Sequence, residues 1–476
     1  MKSNTKNILS NLSVAFIANV ISLFSSTILT MVMPKFIGVE QYAYYQLYIF
    51  YASYIGFLGL GWIEGMYLRY GGHFYNTLNK SIMIKQFRIF SLLETFFGVL
   101  VICVALFSYF NQSEKVVIFF SLGLCIIIYM PRALLHNLLQ TTDKIKEYSY
   151  SIIIEKAVNI GLNLFGIFLR KSFFEWYIIS ELVGRLIATT YIFIVCKDIV
   201  FVHKLNVDNV EVKKEIKDNI SAGIPLMISN VASMLVLGVV RQAIEIGWDI
   251  ETFGKISLTL TCSNLLMTFI NSVALVVFPM LKRIDESKLS SYYKILRTIL
   301  ITVTFGVLLL YYPGKTLLTM WLPNYADSLE YMAILLPICV YESKMSLLIN
   351  TYMKTLRKEK QLLFINIVSV GMSIFSTFIT CSLLKSLDMA ILSIVLLFAI
   401  RCTVAEIILK KYIRIDIFKD IVGEVLLTVA FIISSWTIGG WIGVMVYAIC
   451  YLIYIIIRHR IIKDSFGIVK KKMVER

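Results

Sequence analysis

Asn230 and Arg241 stand eleven residues apart in an otherwise apolar stretch, and Glu245 follows Arg241 after four. At about 100° per residue an eleven-residue step returns to nearly the same helix face, so the three would form one polar stripe. An amide and a guanidinium on one face suit an anion, and the planar fork of arginine suits phosphate in particular because it binds two oxygens at once. Two roles stand open for Arg241: contact with an anionic substrate, or neutralisation of Glu245. Lys255 lies close behind in sequence, and Asn264 and Asn271, two turns apart, extend a stripe of amides. Asn19 repeats the setting of Asn230 near the start of the chain.

A second constellation is W-I-E-G-M-Y-L-R-Y-G-G, residues 62–72, which puts Glu64 inside the end of an apolar run and Arg69 just beyond it. Gly56, Gly59, Gly61 and Gly65 give that segment a small-residue surface for close packing or bending. Glu64, Arg69 and Glu245 are therefore candidate gate residues, with Glu64 pairing with a cation of the opposite lobe in one state; an interfacial Glu64 close to water fits the spacing equally. Glu181 and Arg185 are spaced i,i+4 with the acid first, the order of a structural ion pair. Arg132 and His136 either snorkel to the surface or point inward, Glu155 and Lys156 read as interfacial, and spacing assigns no role to Glu94, Arg401 or Glu406.

What must position these groups follows from composition. The chain of 476 residues is 58% hydrophobic and 16% charged, with a mean hydropathy of +0.78. An ordinary soluble domain carries about 25% charged residues. Fourteen apolar runs, from Ile8–Met33 to Trp441–Ile457, each approach the roughly 20 residues that cross a bilayer as a helix. They are continuous and do not alternate, which fits helices better than a membrane barrel. The expected fold is an all-α polytopic membrane protein with about 14 transmembrane helices. The first run is too long for a cleavable signal and is expected to stay as a helix.

The formal charge of +16 is sorted by loop. With the N-terminus inside, alternate loops hold 33 of the 46 Lys and Arg, and the opposite loops hold six. That bias predicts both termini in the cytoplasm, and the basic tail at Lys470, Lys471 and Lys472 then addresses lipid headgroups instead of nucleic acid. The eight cysteines all fall inside apolar runs, without Cys-x-x-Cys, and the four histidines are scattered, so no metal site is expected.

The chain also repeats. N-I-L-S at Asn7 and I-A-N-V at Ile17 recur as N-I-S-A at Asn219 and I-S-N-V at Ile228, and apolar runs at 116, 150 and 174 recur at 328, 362 and 387. Six helices per half make the repeats parallel. The expected organisation is an N-lobe over 1–196, an amphipathic cytoplasmic linker over 197–217, a C-lobe over 218–409, and two further helices with a basic tail over 410–476. Two such lobes around a central cavity would allow alternating access, with Arg241, Lys255, Asn19, Asn230, Asn264 and Asn271 as cavity residues.

Pro34 to Tyr48, P-K-F-I-G-V-E-Q-Y-A-Y-Y-Q-L-Y, followed by G-x-x-E-G-x-Y-L-R-Y-G-G from Gly61 to Gly72, resembles the polysaccharide-transport branch of the multidrug/oligosaccharidyl-lipid/polysaccharide exporter superfamily. The resemblance implies a flippase of the bacterial cytoplasmic membrane. Its substrate would be an undecaprenyl-pyrophosphate-linked oligosaccharide, moved to the outer leaflet for capsule, exopolysaccharide or O-antigen synthesis. It implies no cofactor, coupling to the membrane potential, Na+ or H+ or to none of them, and partners among polysaccharide polymerases and glycosyltransferases. Basic cavity residues of relatives face the pyrophosphate. Here the first membrane run carries neither Arg nor Lys, so the role passes to Arg241 and Lys255. Two alternatives differ in their demands. A cation-coupled multidrug antiporter needs a buried coupling carboxylate, for which Glu64, Glu94 or Glu245 could serve. A membrane polymerase or ligase needs groups outside the bilayer, and the longest outer loop, residues 313–327, offers only Lys315 and Asp327 as charges.

Overall fold

The structure is a computed structural model that describes residues 2–202, 208–281 and 289–474, without the side chains of 2–13, 15, 16, 265, 266, 268–281, 466 and 468–474. Among the described residues there are helices and short connections and no strand. The first half holds α1 (Lys2–Met31), α2 (Val39–Ala52), α3 (Trp62–Tyr70), α4 (Lys80–Ser108), α5 (Ser113–Thr141), α6 (Ile145–Phe168) and α7 (Phe174–Val195). Then come α8 (Asn209–Gly247), α9 (Ile250–Leu281), α10 (Leu289–Trp321) and α11 (Met332–Thr355). The chain ends in α12 (Glu359–Leu383), α13 (Leu387–Ile413), α14 (Phe418–Ile438) and α15 (Gly440–Val474).

Twelve described helices are long and apolar enough to cross a membrane, and α2 with α3 forms a thirteenth span bent by 64°. The 32-residue α9 is about 48 Å long and carries no charge after Lys255, and the twelve to thirteen candidate spans among the described residues are roughly consistent with the expected fourteen. The chain is a multi-pass membrane protein.

Local sequence explains the interruptions. Between α2 and α3, Leu60 and Gly61 are both left-handed, at φ 50° and 79°, and two such residues in succession turn the chain instead of continuing the helix. Asn79 caps α4 by accepting from the Ile82 amide at 3.3 Å, and Asp249 caps α9 by accepting from the Thr252 amide at 2.7 Å. The stretch expected as the longest outer loop, residues 313–327, is mostly helical: α10 continues to Trp321 and a tight turn covers Pro323–Tyr325. Pro313 lies at the third residue of the segment starting at Tyr311, directly after the short 3-10 turn Leu308–Leu310, where the helical ladder of α10 is already interrupted.

The chain divides into two compact units, residues 1–231 and 232–476, and the division runs through α8. In the second unit Val236, Val240 and Ile244 of α8 lie in one buried cluster with Ile338 and Tyr341 of α11 and Ile391, Ile394 and Phe398 of α13. The last two helices belong to this unit through side-chain hydrogen bonds. Tyr447 and Tyr451 of α15 donate to the carbonyls of Phe305 and Thr302 on α10 at 2.8 and 2.7 Å, and Tyr341 of α11 bonds Thr428 of α14 at 2.8 Å.

Candidate functional site

In the first unit the opening motif is where α3 meets the N-terminal part of α8. A Cβ on Gly65 would lie 1.7 Å from the Asn219 carbonyl oxygen, and one on Gly61 would lie 2.7 Å from the Ile224 nitrogen. Two backbones therefore touch here, and only glycine permits it. Close approach brings side chains into register around it. Arg69 donates to Asn219 Oδ1 at 2.6 Å and to both carboxylate oxygens of Glu215 at 2.9 and 3.1 Å, while the Tyr70 hydroxyl donates to Glu215 at 2.5 Å. Gln86 of α4 completes the junction, its Oε1 accepting from Trp62 at 3.0 Å and from Asn219 at 2.8 Å. Glu64, one turn earlier, is half-buried, and its Oε2 has no hydrogen-bond partner among the described residues.

A second polar group of this unit lies among α5, α6 and α7. Arg132 donates to Glu155 at 2.5 Å, and Arg185 pairs with Glu181 and touches Cys125. The Glu181–Arg185 pair is the one the i,i+4 spacing predicts. Arg132 does not snorkel, since its side chain is 2% exposed, and Glu155 is turned inward instead of lying at the interface. Each supplies the other's charge within the protein, which removes the need to reach water. Tyr129 lies beneath both guanidiniums, 5.9 Å from that of Arg132 and 5.0 Å from that of Arg185. Glu94 of α4 is fully buried, with no hydrogen-bond partner on either oxygen among the described residues.

The sequence-derived cavity residues fall in both units. Asn19 on α1 and Asn230 on α8 are exposed, as is Asn264 on α9. Arg241 is half-buried; it donates to Ser257 of α9 at 2.9 Å, and its guanidinium stands 5.3 Å from the Phe253 ring centre. Glu245 accepts from Gln242 at 3.0 Å, and Lys255 is half-buried within two residues of Ser257. Arg241 and the Lys255 segment are thus brought together where α8 and α9 meet. Asn271 lies outside the described side chains.

Sequence reasoning passed over the densest charge group of the second unit. Lys344, at the start of a π-helical turn in α11, donates to Glu406 of α13 at 2.8 Å and to Glu424 of α14 at 2.6 Å. Arg297 of α10 takes the opposite oxygens of both carboxylates at 2.6 and 2.5 Å and reaches Asp420 at 3.3 Å, and Asp420 also pairs with Arg458 of α15. Tyr293 adds a donor to Glu406 at 2.7 Å. The signal was present: Lys344 is a lysine well inside the apolar run 328–352, and such a charge requires acidic partners from neighbouring helices. Arg297, counted with a loop, is instead 4% exposed at its side chain. Arg401 also finds its partners, bonding Asn366 of α12 at 3.0 and 3.2 Å and Ser233 of α8 at 2.7 Å. Among the described residues no cluster of His, Cys, Asp and Glu could hold a metal ion, and all eight cysteines are free.

No protein-family model matches the chain, and no curated protein matches it in sequence. Solved structures do match. An inward-facing multidrug resistance MATE family transporter of the MOP superfamily aligns with a TM-score of 0.63 at 11% identity, over 82% of this chain and 94% of that one. The lipid II flippase MurJ in an inward closed conformation aligns with a TM-score of 0.60 at 14% identity, over 95% of this chain and 100% of that one. A MOP superfamily transporter from Pyrococcus furiosus aligns with a TM-score of 0.51 at 12% identity, over 86% and 94%. At these identities the likeness is one of fold, and the fold is that of MOP superfamily transporters, the superfamily that Pro34–Tyr48 and Gly61–Gly72 resemble.

Proposed function

We propose that this chain is a flippase that carries an undecaprenyl-pyrophosphate-linked oligosaccharide from the inner to the outer leaflet of a bacterial cytoplasmic membrane by alternating access. The observation that carries the proposal is that the likeness to the lipid II flippase covers 95% of this chain and all of that one, while the multidrug transporter match covers 82% of this chain. The motif resemblance to the polysaccharide-transport branch supports the sugar-linked cargo over other lipids. The loop charge bias supports cytoplasmic termini, and with that orientation Arg241 sits in the outer half of the bilayer, offering its guanidinium to a pyrophosphate. Exposed Asn19, Asn230 and Asn264 supply amides that hydrogen-bond sugar hydroxyls. Polymerases and glycosyltransferases of the same assembly line are the partners this activity implies.

One observation favours a second function. A coupled multidrug antiporter needs a carboxylate that can take up an ion, and Glu94, buried without hydrogen-bond partners among the described residues, has that character. Proteoliposomes decide between them. Vesicles holding the purified protein and an undecaprenyl-pyrophosphate oligosaccharide are probed with an impermeant enzyme that reads sugar in the outer leaflet. Protein-dependent exposure that falls at least tenfold in Arg241→Ala supports the flippase and the phosphate contact together; exposure unchanged in Arg241→Ala removes Arg241 from the substrate path. Absence of exposure, with gradient-driven uptake of an organic cation that Glu94→Gln abolishes, replaces the flippase with the antiporter.

A further inference from the structure

We infer that Glu406 and Glu424 form a binding site for an ammonium-type cation, and that the Lys344 side chain is its resident, covalently held occupant. The two carboxylates arrive from different helices, α13 and α14, and each turns one oxygen toward the same nitrogen, Oε2 of Glu406 at 2.8 Å and Oε2 of Glu424 at 2.6 Å from Lys344 Nζ. From behind, Arg297 donates to Glu406 Oε1 at 2.6 Å and to Glu406 Oε2 at 3.3 Å and forms an ion pair with Glu424 Oε1 at 2.5 Å, and Glu406 Oε1 also accepts from Tyr293 at 2.7 Å. The carboxylates are thereby fixed in place without the lysine's help, which is how a preformed ion site differs from a pair that forms only when its cation arrives.

Burial supplies the driving force. The side chains of Lys344 and Glu406 are 0% exposed, that of Glu424 is 2% and that of Arg297 is 4%. Two carboxylates against Arg297 alone would leave one negative charge uncompensated out of water, a state costly enough that the site recruits a cation or collapses. Beyond them Asp420 and Arg458 cancel each other, so the missing charge is the one Lys344 brings. A primary ammonium suits the place because it is a compact point charge with three donors, two of which are spent on the carboxylates. Lys344 also opens a π-helical turn running to Ile349, a helix distortion that recurs at functional sites. Through it, the second unit carries internally the charge that a soluble ion would otherwise provide at these two carboxylates.

Lys344→Ala deletes Cγ, Cδ, Cε and Nζ, an absence with the shape of n-propylammonium. The test is the thermal unfolding midpoint of the purified full-length protein in detergent, at constant ionic strength, with chloride salts of n-propylammonium, ethylammonium, tetramethylammonium or sodium. The expected result is a lowered midpoint for Lys344→Ala that n-propylammonium restores along a saturable one-site curve, ethylammonium restores less, and tetramethylammonium leaves alone, with the wild type indifferent to all four. A charge-matched control, Lys344→Met with Glu424→Gln, is expected to fold and to ignore the amines. The inference is overturned if Lys344→Ala answers all four salts alike or none, if the control answers as Lys344→Ala does, or if Lys344→Ala cannot be obtained folded even in n-propylammonium while the control can. Stability is the readout, so the outcome is independent of what the chain transports.

Discussion

Gly65→Ala is the sharpest perturbation of the α3–α8 junction. The new methyl would lie 1.7 Å from the Asn219 carbonyl oxygen, where real contacts stop at 3.0 Å, so the two backbones must part by at least 3.0 − 1.7 = 1.3 Å. A movement of that size stretches the Arg69–Asn219 bond from 2.6 Å, and the Tyr70–Glu215 bond from 2.5 Å, beyond hydrogen-bonding range. Overpacking costs about 1–3 kcal/mol, and losing a hydrogen bond to a charged group costs about 1.5–3 kcal/mol, taken at its low end because Arg69 is 31% exposed at its side chain. Alanine returns about 1 kcal/mol of helix propensity. The net loss is about 1.5–3.5 kcal/mol, or roughly 3–14 °C in melting temperature for a unit of this size. Scanning fluorimetry of the purified protein measures it, with Gly56→Ala as control, since a Cβ there meets nothing within 4 Å. In an Arg69→Ala background the Gly65→Ala loss should shrink, because part of it is the Arg69 bonds. A Gly65→Ala midpoint within a degree of wild type, or equal losses at Gly56 and Gly65, would refute the reasoning.

The remaining predictions concern other contacts. Arg132→Ala should destabilise the protein by about 3 kcal/mol, the low end for a broken buried pair, because Glu155 keeps only the partly exposed Lys156 at 3.6 Å, and adding Glu155→Ala should recover a large part of that; a double mutant as unstable as the sum of the singles counts against the pair. Glu424→Ala should cost a similar amount by leaving Lys344 with Glu406 alone and Arg297 with Glu406 and Asp420, whereas Thr428→Val, which removes the bond to Tyr341 and the one Thr428 donates to the Glu424 carbonyl, should cost about 1–2 kcal/mol, both read by thermal melts. Asp249→Ala should cost about 1 kcal/mol through loss of the α9 cap. The Thr252 amide, donating to Asp249, holds that carboxyl below its ordinary range, so the cap's charge-dependent contribution is complete above the usual Asp value and fades as pH falls through the depressed one. An acid titration of stability in which Asp249→Ala and wild type run parallel would contradict this.

The helices were legible because membrane insertion writes length and hydropathy directly into sequence. The α2–α3 bend was half visible. The glycines announced close packing or bending, but the partner, Gly223 and Asn219 of α8, lies over 150 residues away and has no local signature. The same limit governs the ion pairs. Glu181 and Arg185 could be read because they share a helix and a spacing, whereas Lys344, Glu406, Glu424 and Arg297 come from four helices, and each alone looks like an isolated anomaly or a loop residue. Charge balance offers a way around this. In an apolar solvent every buried charge must find an opposite, so counting the unassigned members of apolar runs would have set Lys344 and Arg401 against Glu406, Glu424 and Glu342, in place of asking of each residue singly what it does. Four of those five share one half of the repeat, and Glu424 lies in the first of the two additional helices. Those helices therefore do more than lengthen the chain, because one of them brings the second carboxylate of the Lys344 site. Loss of α14 would take one of the two carboxylates from that cation, so the pair α14–α15 is an integral part of the second unit.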